Sequence, residues 1–224
     1  MTFHDMLRPF NPMSGTTNPM KLLGSTRSPY VRRVAVSLNL MGLDWELDQV
    51  AVFDDPESVR RYNPLLRIPT LLLDDGEALV ESYAILDALD EMAGDRRLIP
   101  ASGKARRDVM RATAMATGAM DRTIWAVYEP RFRPKEKVEE SWIAHNRDRA
   151  LGGMQYLDGL AAEAGDGWMF GGSMSQADIS AVCGFTFARL AHPPMKVTEA
   201  CPALAALAER CEAMEAFSST YPQF

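Results

Sequence analysis

The stretch Gly24-Ser25-Thr26-Arg27-Ser28-Pro29-Tyr30-Val31-Arg32-Arg33 is the tightest constraint on what this chain can fold into. The apolar run before it, residues 20–23, reads as a strand. The periodic apolar segment after it, residues 29–41, fits two patterns. Val34, Val36, Leu38 and Leu40 alternate as in a strand, whereas Val31, Val34, Leu38 and Met41 form a helical stripe. Ser28 stands where a helix N-cap belongs, Pro29 at the first helical position and Gly42 at the stop, and these decide for helix. Strand, turn and helix start are thus compressed into a few residues. The Ser28 hydroxyl sits over the positive end of a helix, a place that stabilises an anion.

Downstream, short strand-like runs alternate with helical ones as far as residue 93. Residues 45–52 read as a strand and 54–62 as a short acidic-capped helix. Residues 70–73 and 78–80 flank Asp74-Asp75-Gly76 as a hairpin, and residues 81–92 read as a helix. The segment 94–101 has the proline and glycine content of a linker. Beyond it strand alternation disappears and Ala, Met, Glu and Arg dominate. Helices are expected over 104–128, 135–164, 175–191 and 202–213. The reading is an α/β domain over 20–93, an all-helical domain over 102–224, and a loosely ordered extension over 1–19.

With 224 residues, 47% of them hydrophobic, the chain can bury a core in each of two domains. A net charge of −6 argues against a general affinity for nucleic acid or an anionic membrane. No apolar run approaches the roughly 18 residues that span a bilayer. The three cysteines, Cys183, Cys201 and Cys211, show neither metal spacing nor a disulfide framework, and His4, His145 and His192 are scattered. A reducing cytoplasm and no metal are therefore expected.

Four short motifs occur in a fixed order: Ser28-Pro29-Tyr30, Ile68-Pro69-Thr70, Glu81-Ser82 and Ser175-Gln176-Ala177-Asp178. The last is a capping-box pattern that starts a helix. Together they resemble the glutathione transferase family over essentially residues 20–220. The resemblance implies a thioredoxin-like N-terminal domain with a four-stranded mixed sheet, an all-α C-terminal domain and a homodimer. It implies glutathione as co-substrate, with its thiolate attacking a small hydrophobic electrophile in conjugation, dehalogenation or ether cleavage. Ser28 would donate to the glutathione sulfur, with Ser25, in the same turn, as its rival. Ile68 would offer its backbone beside a cis Pro69, Arg67 would hold the glycyl carboxylate, and Glu81 and Ser82 would take the γ-glutamyl amine and carboxylate.

Each position also has a plainer reading. Ser28 as an N-cap contributes roughly 1 kcal/mol and nothing else. An X–Pro bond is trans by default. Glu81 and Ser82 suit any helix start. Arg27, Arg32 and Arg33 read as solvated or ion-paired. Met110, Met115, Met120, Trp125 and Tyr128 lie at helical spacings that suit core packing. A pocket facing the sulfur would draw on Tyr30, Trp125 and Tyr128. The chain also departs from parts of the family: position 28 is not cysteine, no tyrosine ends the first strand, and the Ser-Ser-Cys run of the zeta isomerases is absent. A binding protein that has lost turnover and a glutathione-dependent isomerase are the alternative readings.

Overall fold

The computed structural model describes residues 19–224, so the extension expected over 1–19 lies, save for Pro19, outside the described residues. The chain runs β1 (Met20–Gly24), α1 (Pro29–Met41), β2 (Trp45–Gln49), α2 (Glu57–Arg60), β3 (Thr70–Leu72), β4 (Ala78–Val80) and α3 (Ser82–Ala93). Then come α4 (Gly103–Phe132), α5 (Glu140–Ala164), α6 (Gln176–Ala191), α7 (Val197–Ala200), α8 (Pro202–Glu212) and α9 (Glu215–Ser218). The sheet has the order β2-β1-β3-β4, with β1 parallel to β2 and the other pairs antiparallel. That is a thioredoxin-like mixed sheet followed by helices alone. Among the described residues no strand lies beyond β4.

The ambiguity of residues 29–41 has a physical cause. α1 packs against β1, α3 and α6 at once, so Val31, Val34, Ala35, Val36 and Leu38 are all fully buried, and the polar Arg32, Arg33 and Ser37 are buried with them instead of marking a solvent face at the helical period. Its ends are specified instead. Ser28 caps the start, and Gly42, at φ 61°, closes the other end by donating to the Asn39 and Leu38 carbonyls.

Two helices differ from the sequence reading. The one expected over 54–62 spans only Glu57–Arg60, because Pro56 disfavours helical geometry at Asp55. The N–H groups of Asp54 and Asp55 instead close a turn on the Ala51 carbonyl. α4 runs past Tyr128, through Pro130, to Phe132. A proline that close to the helix end removes a single hydrogen bond and stops nothing. The capping box of α6 is complete: Asp178 accepts from Ser175 N at 2.9 Å and from Met169 N at 2.9 Å, while Ser175 Oγ accepts from Ala177 N at 3.3 Å.

Cys183, Cys201 and Cys211 are free and buried in the helical half. Burial pushes their thiols up to about 11, 12 and 12. The folded protein should therefore resist an aromatic disulfide reagent at pH 8, and release three equivalents once denatured. Any stability linked to these protons is complete below about pH 9. Above that the unfolded chain gives them up first, so stability falls by up to about 1.4 kcal/mol per thiol per pH unit as pH climbs toward the folded values. Rapid labelling at pH 8 in the folded state would contradict this packing.

Candidate active site

Strand register brings the sequence motifs together. Leu23 pairs with Thr70, and Thr70 pairs with Val80. The C-terminal end of β1, the N-terminal end of β3 and the C-terminal end of β4 therefore share one edge of the sheet. The segments attached there are Ser25–Ser28, Arg67–Pro69 and Glu81-Ser82. Because β2 runs parallel to β1, with Gly24 against Gln49, the loop carrying Phe53 leaves from the same edge.

The β1–α1 turn is tight. Ser28 N donates to the Ser25 carbonyl at 2.9 Å, and Arg32 N to the Ser28 carbonyl at 2.9 Å. Gly24 has φ 153°, and a Cβ there would stand 2.5 Å from Val31 Cγ2 and 3.4 Å from Ile68 Cβ. The missing side chain lets the α1 start and the Ile68 loop close on each other. Ser28 Oγ accepts from Val31 N at 3.5 Å, the outer limit of a hydrogen bond, so the cap is loose and its hydroxyl proton is uncommitted. Ser25 Oγ accepts from Arg27 N at 3.4 Å. Both serines are half-buried.

The Ile68–Pro69 peptide is cis. Buried Asn63 shapes the approach to it: its Nδ2 donates to the Arg67 carbonyl at 3.0 Å, and its Oδ1 accepts from Leu65 N at 3.0 Å. Arg67 and Glu81 pair with each other at 3.1 Å across exposed side chains. Such a pair is weak in water and easily exchanged for a ligand's own charges. Glu81 holds φ 65° and ψ 122°, a region that costs a non-glycine residue about 1–3 kcal/mol and that clusters at ligand sites. Ser82, the first residue of α3, is nearly closed to solvent.

The helical half supplies the facing wall from one stripe of α4. The Tyr30 hydroxyl donates to Asp121, and burial and then Asp121 raise its pKa, so the phenol stays protonated. Tyr83 bonds Thr117 at 2.5 Å. Farther along, Tyr128 packs edge-on against Phe53 at 5.8 Å and Phe132 at 5.0 Å between ring centres. Trp125, 54% exposed, borders this cluster on the same helical face rather than lying within it. The methionines do not form one stripe: Met120 is in the core beside Gly184, while Met115 is exposed. No group of three His, Cys, Asp or Glu side chains that could hold a metal ion is present among the described residues, and no helix there is long and apolar enough to cross a membrane.

Against the sequence reading of solvated or ion-paired, Arg32 is ion-paired, and Arg33 departs from it, being neither solvated nor ion-paired among the described residues. Both are buried. Arg32 is clasped by Glu212, with Nη1 to Oε1 at 2.8 Å and Nη2 to Oε2 at 2.5 Å, and it also donates to the Thr220 and Phe217 carbonyls. Arg33 has no acidic partner among the described residues. Asp121, Phe53 and the C-terminal tail, from which the Gln223 carbonyl accepts from Arg27, were not visible as site elements in the sequence. Asp121 had one available signal, its spacing of four and seven residues from Trp125 and Tyr128.

Residues 22–97 match the sequence profile of the glutathione S-transferase N-terminal domain. A glutathione S-transferase of Methylobacillus flagellatus, solved with glutathione bound, is 32% identical and superimposes with a TM-score of 0.84 over 91% of this chain and 100% of its own. The chain belongs to the glutathione S-transferase family. A glutathione S-transferase of Methylobacterium radiotolerans in complex with glutathione sulfonate is 29% identical, with a TM-score of 0.85 over 92% of this chain and 96% of its own. The uncharacterized GST-like protein YibF of Escherichia coli is 27% identical over 91% of this chain and 98% of its length.

Proposed function

We propose that the protein is a serine-type glutathione transferase, with residues 20–93 as the glutathione domain and 102–224 as the domain that receives the electrophile. The observation that supports this best is the convergence, at one edge of the sheet, of the α1 start with Ser28, the cis Ile68–Pro69 peptide and the α3 start with Ser82. Two helix N-termini favour anions there, one at the sulfur and one at the γ-glutamyl carboxylate.

In this reading the Ser28 O–H donates to the glutathione sulfur, and Ser25 is the second choice. Ile68 pairs its backbone with the cysteinyl unit. Arg67 takes the glycyl carboxylate, Glu81 the γ-glutamyl ammonium and Ser82 the γ-glutamyl carboxylate. Glutathione thus replaces the Arg67–Glu81 contact with charges of its own. The thiol proton leaves to water and the thiolate attacks an electrophilic carbon. A C–S bond forms as the leaving group departs with its electron pair. Tyr30, tied to Asp121, and the Phe53–Tyr128–Phe132 cluster beside Trp125 border the space for that electrophile. A homodimer belongs to the same reading, with exposed Met92 on α3 and Met115 on α4 as supporting apolar surface.

Calorimetric titration with glutathione, followed by turnover of a dinitrophenyl halide, tests the proposal. Saturable binding with thioether product is the expected result. Binding without turnover of any aryl or alkyl halide would favour a non-catalytic binder, and absence of binding would overturn the reading.

A further inference from the structure

The α4 wall that faces the start of α1 carries one carboxylate without a counter-ion among the described residues. Asp121, Trp125, Tyr128 and Phe132 follow one another at helical spacings, so they line one stripe of α4. The other members of that stripe are aromatic, and Phe53 adds a further ring from the loop after β2. Asp121 is the exception. It is exposed, and its Oδ1 accepts from the hydroxyl of Tyr30 at the start of α1. Burial and then Asp121 itself keep that phenol protonated, so the bond leaves the carboxylate its full charge.

The cations in the neighbourhood are engaged elsewhere. Among the described residues Asp121 belongs to no ion pair. Arg122 turns towards α5 and donates to Asn146 Oδ1 at 3.3 Å. Arg33, near Tyr30, donates to Ser82 and Ser180. Arg67 pairs with Glu81 at 3.1 Å and, in the glutathione reading, passes to the glycyl carboxylate. Arg131 lies about 15 Å farther along α4. Its guanidinium stands 5.4 Å from the Phe53 ring centre and 5.5 Å from that of Phe132.

An uncompensated carboxylate beside an aromatic surface acts on whatever enters next to it. It repels a like charge and attracts a cation, more strongly as water is displaced. Ring faces reinforce the attraction, and Arg131 already uses two of them in this way. A glutathione thiolate at the start of α1 would add a second negative charge to the same cleft.

We propose that Asp121 is a specificity-determining residue, making the cleft select arylalkyl electrophiles that carry an ammonium group over those that carry a carboxylate. The proposal rests on the glutathione reading and names a substrate class for it.

The test uses three S-benzylglutathiones whose para substituent is trimethylammoniomethyl, methoxycarbonyl or carboxylate. They set a cation, a neutral group or an anion against the wall without requiring turnover. By calorimetry, wild type should bind the cationic conjugate about fivefold more tightly than the neutral one and the anionic conjugate about fivefold more weakly, the scale of one exposed charge pair. Asp121→Asn should bring the cationic and anionic conjugates within about threefold of each other, and Asp121→Lys should invert their order. Tyr30→Phe removes the hydrogen bond but not the carboxylate, and should keep the wild-type order. Because Asp121 is exposed, the wild-type spread should narrow between about 0.02 M and about 0.5 M salt. Equal losses for all three conjugates in Asp121→Asn would mean that Asp121 only holds Tyr30 in place, and would overturn the proposal. If Asp121→Asn does not fold, salt and Tyr30→Phe decide. A spread that ignores salt or collapses in Tyr30→Phe overturns the proposal, and one that narrows with salt and survives Tyr30→Phe supports it. A wild type that binds glutathione but takes all three conjugates equally refutes the role of Asp121 alone, whereas one that binds neither glutathione nor any conjugate refutes the glutathione reading itself.

Discussion

Replacing Ser28 by alanine is expected to lower kcat for glutathione conjugation by about 10²-fold, the usual cost of removing one donor from an electrostatic site. The fold should survive. The cap that Ser28 makes to Val31 N is 3.5 Å long, so its loss should cost less than the roughly 1 kcal/mol of a well-formed N-cap. A large rate effect with a small stability effect separates chemistry from capping. Ser25→Ala is the control, because Ser25 holds only the 3.4 Å contact with Arg27 N. Its rate should fall far less. Steady-state kinetics alongside thermal melts of both variants make the comparison, and a larger rate loss in Ser25→Ala would move the donor role to that residue.

Glu212→Ala should destabilise the protein by about 3–5 kcal/mol, because it leaves the Arg32 guanidinium buried without its carboxylate. For a chain of this size that corresponds to a melting point lower by about 10 °C. The loss also has a place in the structure. Glu212 accepts from Thr186 at 2.7 Å, and Arg32 holds the Phe217 and Thr220 carbonyls, so α6, α8 and the tail are fastened to α1 through one cluster. Amide exchange should quicken first over residues 217–224. A melt within 2 °C of wild type, read against that same scaling, would mean that the clasp adds little.

The parts of this fold legible in the sequence are those specified by neighbours along the chain. Ser28-Pro29 and Gly42 delimit α1, and Ser175 with Asp178 starts α6, through contacts within a few residues. What the sequence hid depends on distant partners. The Arg32–Glu212 pair joins residues 180 apart, Arg33 to Ser180 spans 147, and Tyr30 to Asp121 spans 91. An arginine about one turn into a helix reads as solvated or ion-paired until those partners are known. The site residues were named from the motif resemblance and their burial was not, which is why the closed state of Ser82 and the Arg67–Glu81 pair appear only in the structure.

The central claim is that glutathione binds with its sulfur ionised at the start of α1. Thiolate absorbance of the glutathione-bound wild-type protein, followed against pH, tests it most directly. The account predicts a titration well below the roughly 8.5 of a free thiol, and one shifted back upward in Ser28→Ala. A bound thiol that titrates at its free value in wild type would contradict it.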